Sequence, residues 1–143
     1  MPEIWWQFRK AIEEMPEIEV GRFVQSGCLR PMSDAVRAGY DAPFPDDSYC
    51  AGPRAMPGLV PTSPADPASA ANLHAWMTLC DSPTPMLVAF SDGDPITGAM
   101  APIFISQMRG ARGVEHPVIH GAGHFLQEDA GEELAEAIVR FLG

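Results

Sequence analysis

Basic residues are scarce in this 143-residue chain: nine Lys plus Arg, with Lys10 the single lysine, stand against nineteen Asp plus Glu, for a formal charge of −10. Phosphate recognition needs clustered cations, so a nucleic-acid partner is excluded. The acidic surface mainly favours solubility. Cysteine is also sparse. Cys28, Cys50 and Cys80 are an odd number with no C-x-x-C pair, which indicates neither a disulfide framework nor a zinc ribbon and points to a reducing compartment. No apolar run approaches the roughly 18 residues of a membrane span, and the N-terminal MPEIWWQFRK lacks an apolar leader core. A soluble, cytoplasmic protein with no membrane association is expected. Walker and dinucleotide glycine patterns are missing. So is a G-x-S-x-G nucleophile elbow, because Ser26-Gly27 lacks the earlier glycine and a buried strand leading in.

What is abundant is punctuation. Fifteen prolines and thirteen glycines occupy 28 positions of 143, about a fifth of the chain where ordinary usage is roughly 12%. The 46% hydrophobic and 20% charged content is otherwise that of a globular chain. The length suits one domain.

Texture changes near residue 82, dividing the chain into residues 1–82 and 83–143. In the first part, residues 5–15 and 31–40 suit short helices, the second opened by Ser33 as a cap. Residues 41–67 hold seven prolines in 27 positions, too many for a helix interior or a central strand. That segment is expected to be a long loop, packed through Phe44, Tyr49, Met56, Leu59 and Val60. A helix over about 67–80 follows, capped by Asp66, with Leu73, Trp76, Met77 and Cys80 on one stripe. Beyond Asp81-Ser82-Pro83, Met86–Phe90 predicts a buried strand and residues 98–109 a helix ended by Gly110. Val114–His120 predicts a second strand, and Asp129-x-x-Glu132 a capping box opening the last helix. Strand, helix, strand, helix implies an α/β fold with parallel neighbours joined by a right-handed crossover. Two strands alone make a poor parallel sheet, so either the N-terminal half hides others or the chain is part of something larger.

In open parallel sheets ligands sit beyond the carboxyl ends of the strands. Two loops qualify there: Ser91-Asp92-Gly93-Asp94-Pro95 and Gly121-Ala122-Gly123-His124-Phe125. Adjacent strands lie about 4.8 Å apart, close enough for Asp94 to reach His124 as the acid and base of a triad. Histidine exchanges protons near neutral pH, and a carboxylate on its other nitrogen fixes the tautomer. Asp92 competes as the acid; Asp94 is preferred because Pro95 fixes the exit from its turn. A bland reading, turn Asp and loop His, stands beside this one. His116, His120 and His124 recur every four residues, but the proline, β-branched residues and glycines between them do not make a helix that could stack them on zinc. No metal site and no nucleophile are expected in the chain.

The run Tyr40-Asp41-Ala42-Pro43-Phe44-Pro45-Asp46, continuing to Ser48-Tyr49, Ala51-Gly52 and Arg54, resembles haloalkane dehalogenases of the α/β-hydrolase fold. So does the later Gly123-His124-Phe125 with Gln127-Glu128-Asp129. The resemblance runs from about residue 4 to the end and covers the second half of such an enzyme. It implies a helical cap with its proline-rich connection (1–82), then a β-α-β-α portion of the parallel core (83–143). It implies His124 as general base and Asp94 as triad acid, with no cofactor and with a small halogenated hydrocarbon and water as reactants. The family's aspartate nucleophile, placed upstream of the cap, matches no position here, which implies a chain inactive by itself. Two departures stand out: Ser91 replaces a common glycine, and the position of a cap halide-binding tryptophan falls near Gly27-Cys28. Trp5 and Trp6, with Trp76, are the remaining halide-binding candidates, although a Trp on a helical stripe is more often core.

Three other readings stay open. Epoxide hydrolases share the fold and use two cap tyrosines, and Tyr40 and Tyr49 are the two tyrosines here. A non-catalytic half could fold only with a missing N-terminal partner or by self-association, its apolar sheet edge being exposed when alone. A small zinc protein would lose stability to a chelator.

Overall fold

The structure, a computed structural model, describes residues 3–143 and divides them into two compact units. One carries helices α1 (Glu3–Glu14), α2 (Val20–Ser26), α3 (Asp34–Asp41) and α4 (Ala51–Leu59). The other joins the short segment Gly27–Pro31 to residues Leu73–Gly143. Helix α5 (Ser69–Asp81) runs across the division.

In the first unit α1 buries Trp5 and Ile12, seven residues apart and so on one face. Ile12 forms a core with Ile18 and Cys50, packed by Phe8, Met15, Val20, Phe23 and Phe44. The carbonyls at the end of α1 have no helical partners. Arg54 supplies them, donating from Nη1 to Met15 O at 2.6 Å and Ile12 O at 3.5 Å while Nη2 holds Asp47 at 2.6 Å. Helix α3 starts as its sequence indicates, Ser33 Oγ accepting from Val36 N at 3.2 Å.

The proline-rich stretch departs from expectation. A 3-10 turn (Asp47–Cys50) and helix α4 occupy the centre of residues 41–67. Asp46 opens the turn by accepting from Ser48 N. Pro53 is tolerated because it is the third residue of α4, where an N–H has no intrahelical acceptor. Pro57 does give up a helical bond, and its ring is buried in the unit. Asp66 likewise acts otherwise than as a cap for α5: its Oδ2 accepts from Thr62 N and Ser63 N, closing the preceding turn. Of the expected apolar stripe on α5, Trp76 and Cys80 pack on a core, whereas Leu73 and Met77 are 63% and 60% exposed.

The second unit contains β1 (Phe90–Ser91), α6 (Ala101–Gln107), β2 (Val118–Ile119), α7 (Leu126–Asp129) and α8 (Gly131–Leu142). Short 3-10 turns flank α6 at Gly98–Met100 and Arg109–Ala111. The strands pair in parallel with Phe90 opposite Val118 and Ser91 opposite Ile119. Both are shorter than the apolar runs predict, because pairing needs a neighbour: Met86 N donates to Gly110 O and Val88 N to the His116 ring, not to another strand. Met108, fully buried, centres a core with Val88 and Ala111, covered by Trp76, Met86, Phe90 and Phe104. A second cluster joins Ile119, Ala122 and Ala130 under Leu126. The last helix also starts differently from its capping-box pattern. Ala130 precedes α8 without a side-chain cap, and Asp129 turns inward.

Gly110 does not end a helix by a left-handed turn but lets two segments touch, since a Cβ there would lie 1.9 Å from Thr84 O. Gly110→Ala is therefore expected to cost about 1–3 kcal/mol, as overpacking against backbone does. Gly39, inside α3 with open space around its missing Cβ, should gain roughly 0.5–1 kcal/mol on becoming Ala. Urea midpoints of the two variants should shift in opposite directions.

Candidate active site

The parallel ladder continues past the strand ends. Asp92 N donates to Ile119 O at 3.1 Å and Gly93 N to Ala122 O at 3.0 Å, while Ser91 Oγ donates to Gly123 O at 2.6 Å. These bonds lay the two post-strand loops side by side. Gly121 makes the turn out of β2 with φ +66°, a conformation side chains disfavour.

Asp94 is held by its own turn. Oδ1 accepts from Ile96 N at 2.8 Å and Thr97 N at 3.1 Å, and Oδ2 from Thr97 Oγ1 at 2.5 Å. Oδ1 also meets His124 Nδ1 at 3.0 Å. The Asp94 side chain is 3% exposed and that of His124 29%, so the imidazole reaches solvent while its partner does not. Burial pushes the Asp94 carboxyl upward, but the bonds from Thr97, Ile96 and His124 outweigh it and hold the group below the ordinary carboxylate range. An ionised carboxylate only accepts, so Nδ1 carries the proton and Nε2 is the basic nitrogen of the neutral ring.

The competing carboxylate is taken elsewhere. Asp92 Oδ2 meets His120 Nδ1 at 2.9 Å and Oδ1 accepts from Gly121 N at 2.9 Å, with the His120 side chain 81% exposed. Those bonds, from His120 first, keep the Asp92 carboxyl low. His116 lies between Val88 N at 3.2 Å and Ala111 O at 3.0 Å, a satisfied imidazole inside the unit. The three regularly spaced histidines thus face three different partners. Among the described residues no group of His, Cys, Asp and Glu is placed to hold a metal ion.

Trp5 and Trp6 both lie on α1, in the other unit. Trp5 lines an apolar cavity of about 290 Å³ with Phe8, Ile12, Phe23, Met56 and Val60, and the Arg9 guanidinium stands over its ring at 5.9 Å. Trp6 meets Trp5 edge to face at 4.9 Å. Trp76 donates its indole N–H to Gln107 Oε1 at 3.1 Å. Tyr40 falls in α3 and Tyr49 in the 3-10 turn before α4.

Sequence reasoning missed the role of Asp129. Only 4% exposed, it accepts from Gly123 N at 2.7 Å and Leu29 N at 2.8 Å through Oδ2, and from Arg30 N at 2.8 Å through Oδ1. Its match to a capping box masked the signal available, an acid five residues after the loop histidine. Gly27 O meanwhile accepts from His124 N at 2.8 Å and Phe125 N at 3.3 Å. A Cβ at Gly123 would lie 2.4 Å from Gly27 O, so only glycine admits this approach. Cys28, between these anchors, has its thiol pushed up to about 11 by burial and by the nearby Asp129 and Glu128 charges, and it is no nucleophile near neutral pH.

No protein-family model matches the chain. A haloalkane dehalogenase of Mycolicibacterium paratuberculosis is 48% identical over 138 residues, 96% of this chain and 46% of that protein. One from Psychrobacter cryohalolentis is 43% identical over 138 residues, 96% of this chain and 45% of the relative. One from Mycobacterium marinum is 48% identical over 136 residues, 95% of this chain and 44% of the relative. The chain is a homologue of the haloalkane dehalogenases. It spans about half the length of these relatives and matches their C-terminal part. Haloalkane dehalogenases are hydrolases, and a partly exposed imidazole on a buried carboxylate can exchange protons near neutral pH.

Asp129 is likewise held low: burial raises its carboxyl, and the bonds from Gly123, Leu29 and Arg30 more than offset that. A folded-state value below the unfolded one, about 3.9, stabilises the fold above that pH and ceases to as the pH falls through the folded value. The urea midpoint should therefore drop steeply below about pH 4, and Asp129→Asn should flatten part of that drop.

Proposed function

We propose that the chain supplies the acid–base part of a haloalkane dehalogenase-type hydrolase of the α/β-hydrolase fold, with His124 as general base and Asp94 as the triad acid. The observation carrying this reading is the 3.0 Å contact between His124 Nδ1 and the buried Asp94, at the carboxyl ends of two parallel strands. Homology to haloalkane dehalogenases over 96% of the chain supports it. In this reading residues 1–82 are the cap with its connection, and residues 83–143 belong to the core.

The chemistry follows from the roles. An aspartate nucleophile, which matches no position in this chain, displaces halide from the substrate carbon and forms an alkyl ester. His124 Nε2 takes a proton from water as the water oxygen attacks the ester carbonyl. Asp94 stabilises the imidazolium formed. Alcohol leaves, the nucleophilic carboxylate is restored, and the proton passes from His124 to solvent, giving one alcohol, one halide ion and one proton per haloalkane and water. No step requires a cofactor. Trp5 and Trp6 are the cap-side candidates for the halide, an indole N–H being a donor without acceptor character.

Bromide release from a bromoalkane tests this. The 143-residue chain alone should release none above background, and co-expression with the N-terminal half of the Mycolicibacterium relative should restore release. His124→Ala in the restored complex should cut turnover by about 10²-fold or more and trap the alkyl-enzyme ester, detected by mass spectrometry. Release by the chain alone that survives His124→Ala would overturn the proposal.

A further inference from the structure

We infer that Asp129 is a positioning residue for His124: its buried carboxylate fixes the loop carrying the imidazole by gathering backbone N–H groups from that loop and from the segment Gly27–Pro31. The inference deepens the hydrolase reading and rests on it for the work His124 does. The geometry is independent of that reading.

The two partners of the Asp94–His124 contact are secured very differently. Asp94 is fixed locally, by three hydrogen bonds from residues two and three positions on. His124 belongs to no helix or strand and lies between the short β2 and the single turn α7. Its backbone position is set instead by Gly27 O, which accepts from both His124 N and Phe125 N. That carbonyl belongs to the segment Gly27–Pro31, which contains no regular element beyond α2 and before α3. Something must hold the segment in turn. Asp129 does so, because one carboxylate takes Leu29 N and Arg30 N on one side and Gly123 N on the other.

Charge makes this arrangement specific. Three backbone donors converge on two oxygens, and charge-assisted bonds are about twice as strong as neutral ones. An amide in place of the carboxylate must turn an NH₂ toward at least one of the donors. Arg30, whose guanidinium lies 3.9 Å from Glu133, adds a nearby positive charge. The space is closed as well: a Cβ at Gly123 would lie 2.4 Å from Gly27 O, with Leu29 N at 3.2 Å and the Cys28 carbonyl carbon at 3.3 Å. Small displacements of the segment are therefore transmitted to His124.

The test reads the imidazole directly by NMR on the chain itself. The His124 Nδ1 proton, hydrogen-bonded to the Asp94 carboxylate, gives a low-field resonance identified by its loss in Asp94→Asn. In Asp129→Asn, shown to be folded by its retained amide spectrum, this proton should exchange with solvent about tenfold faster or more. Glu128→Gln, an exposed neighbour, should leave it unchanged. An unchanged exchange rate in folded Asp129→Asn overturns the inference. If that variant does not fold, hydrogen exchange in the unaltered protein decides: the Leu29, Arg30 and Gly123 amides should open together with the Nδ1 proton. A Nδ1 proton that exchanges while those amides stay protected overturns it equally. Failure of halide release by the chain co-expressed with the N-terminal half of the Mycolicibacterium relative would sink the hydrolase reading and leave this measurement interpretable.

Discussion

The parallel register of β1 against β2 is the constraint from which the site follows. Only two residue pairs form the ladder proper, yet three more hydrogen bonds carry it into the loops beyond. With Ser91 opposite Ile119, the residues three and five positions further along become neighbours, and Asp94 meets His124. A slip of one residue would turn each side chain to the other face. The register also separates the two possible carboxylates: Asp92 meets His120, and Asp94 meets His124.

Electrostatics then distinguishes two acid–histidine contacts of nearly equal length. The pair at the rim, Asp92 with His120, is open to water, where such contacts contribute little. Burial of Asp94 makes the other pair costly to disrupt, and the Thr97 hydroxyl and the Ile96 and Thr97 amides keep it ionised. The same logic governs Asp129, a buried charge made stable by backbone N–H groups instead of by a cation alone. Both carboxylates are thus buried anions held by converging hydrogen-bond donors.

Much of this was legible in the residues, and the exceptions have physical causes. The Ser33 cap, the α1 helix, the parallel neighbours and the proximity of Asp94 to His124 follow from local chemistry and from strand spacing. Strand lengths did not, because an apolar run records burial whereas a ladder needs a hydrogen-bonded neighbour, and Val88 finds an imidazole instead. Helix α4 was hidden because proline counting ignores position: at Pro53 the lost N–H has no consequence, and at Pro57 burial offsets it. Asp129 was hidden by a local motif. Its partners Leu29 and Arg30 lie about a hundred residues away, beyond the reach of any spacing rule.

That separation has a kinetic meaning. The Asp94–His124 contact closes a loop of 30 residues, whereas Leu29–Asp129 closes one of 100. By loop-closure entropy the longer costs about 1 kcal/mol more, and non-local contacts form late in folding. The acid–histidine pair can thus meet first, and the bonds that bring Leu29 and Arg30 to the Asp129 carboxylate close afterwards, across the longer span. The two contacts that meet around His124 are therefore separated in folding by their loop lengths, not by their strength.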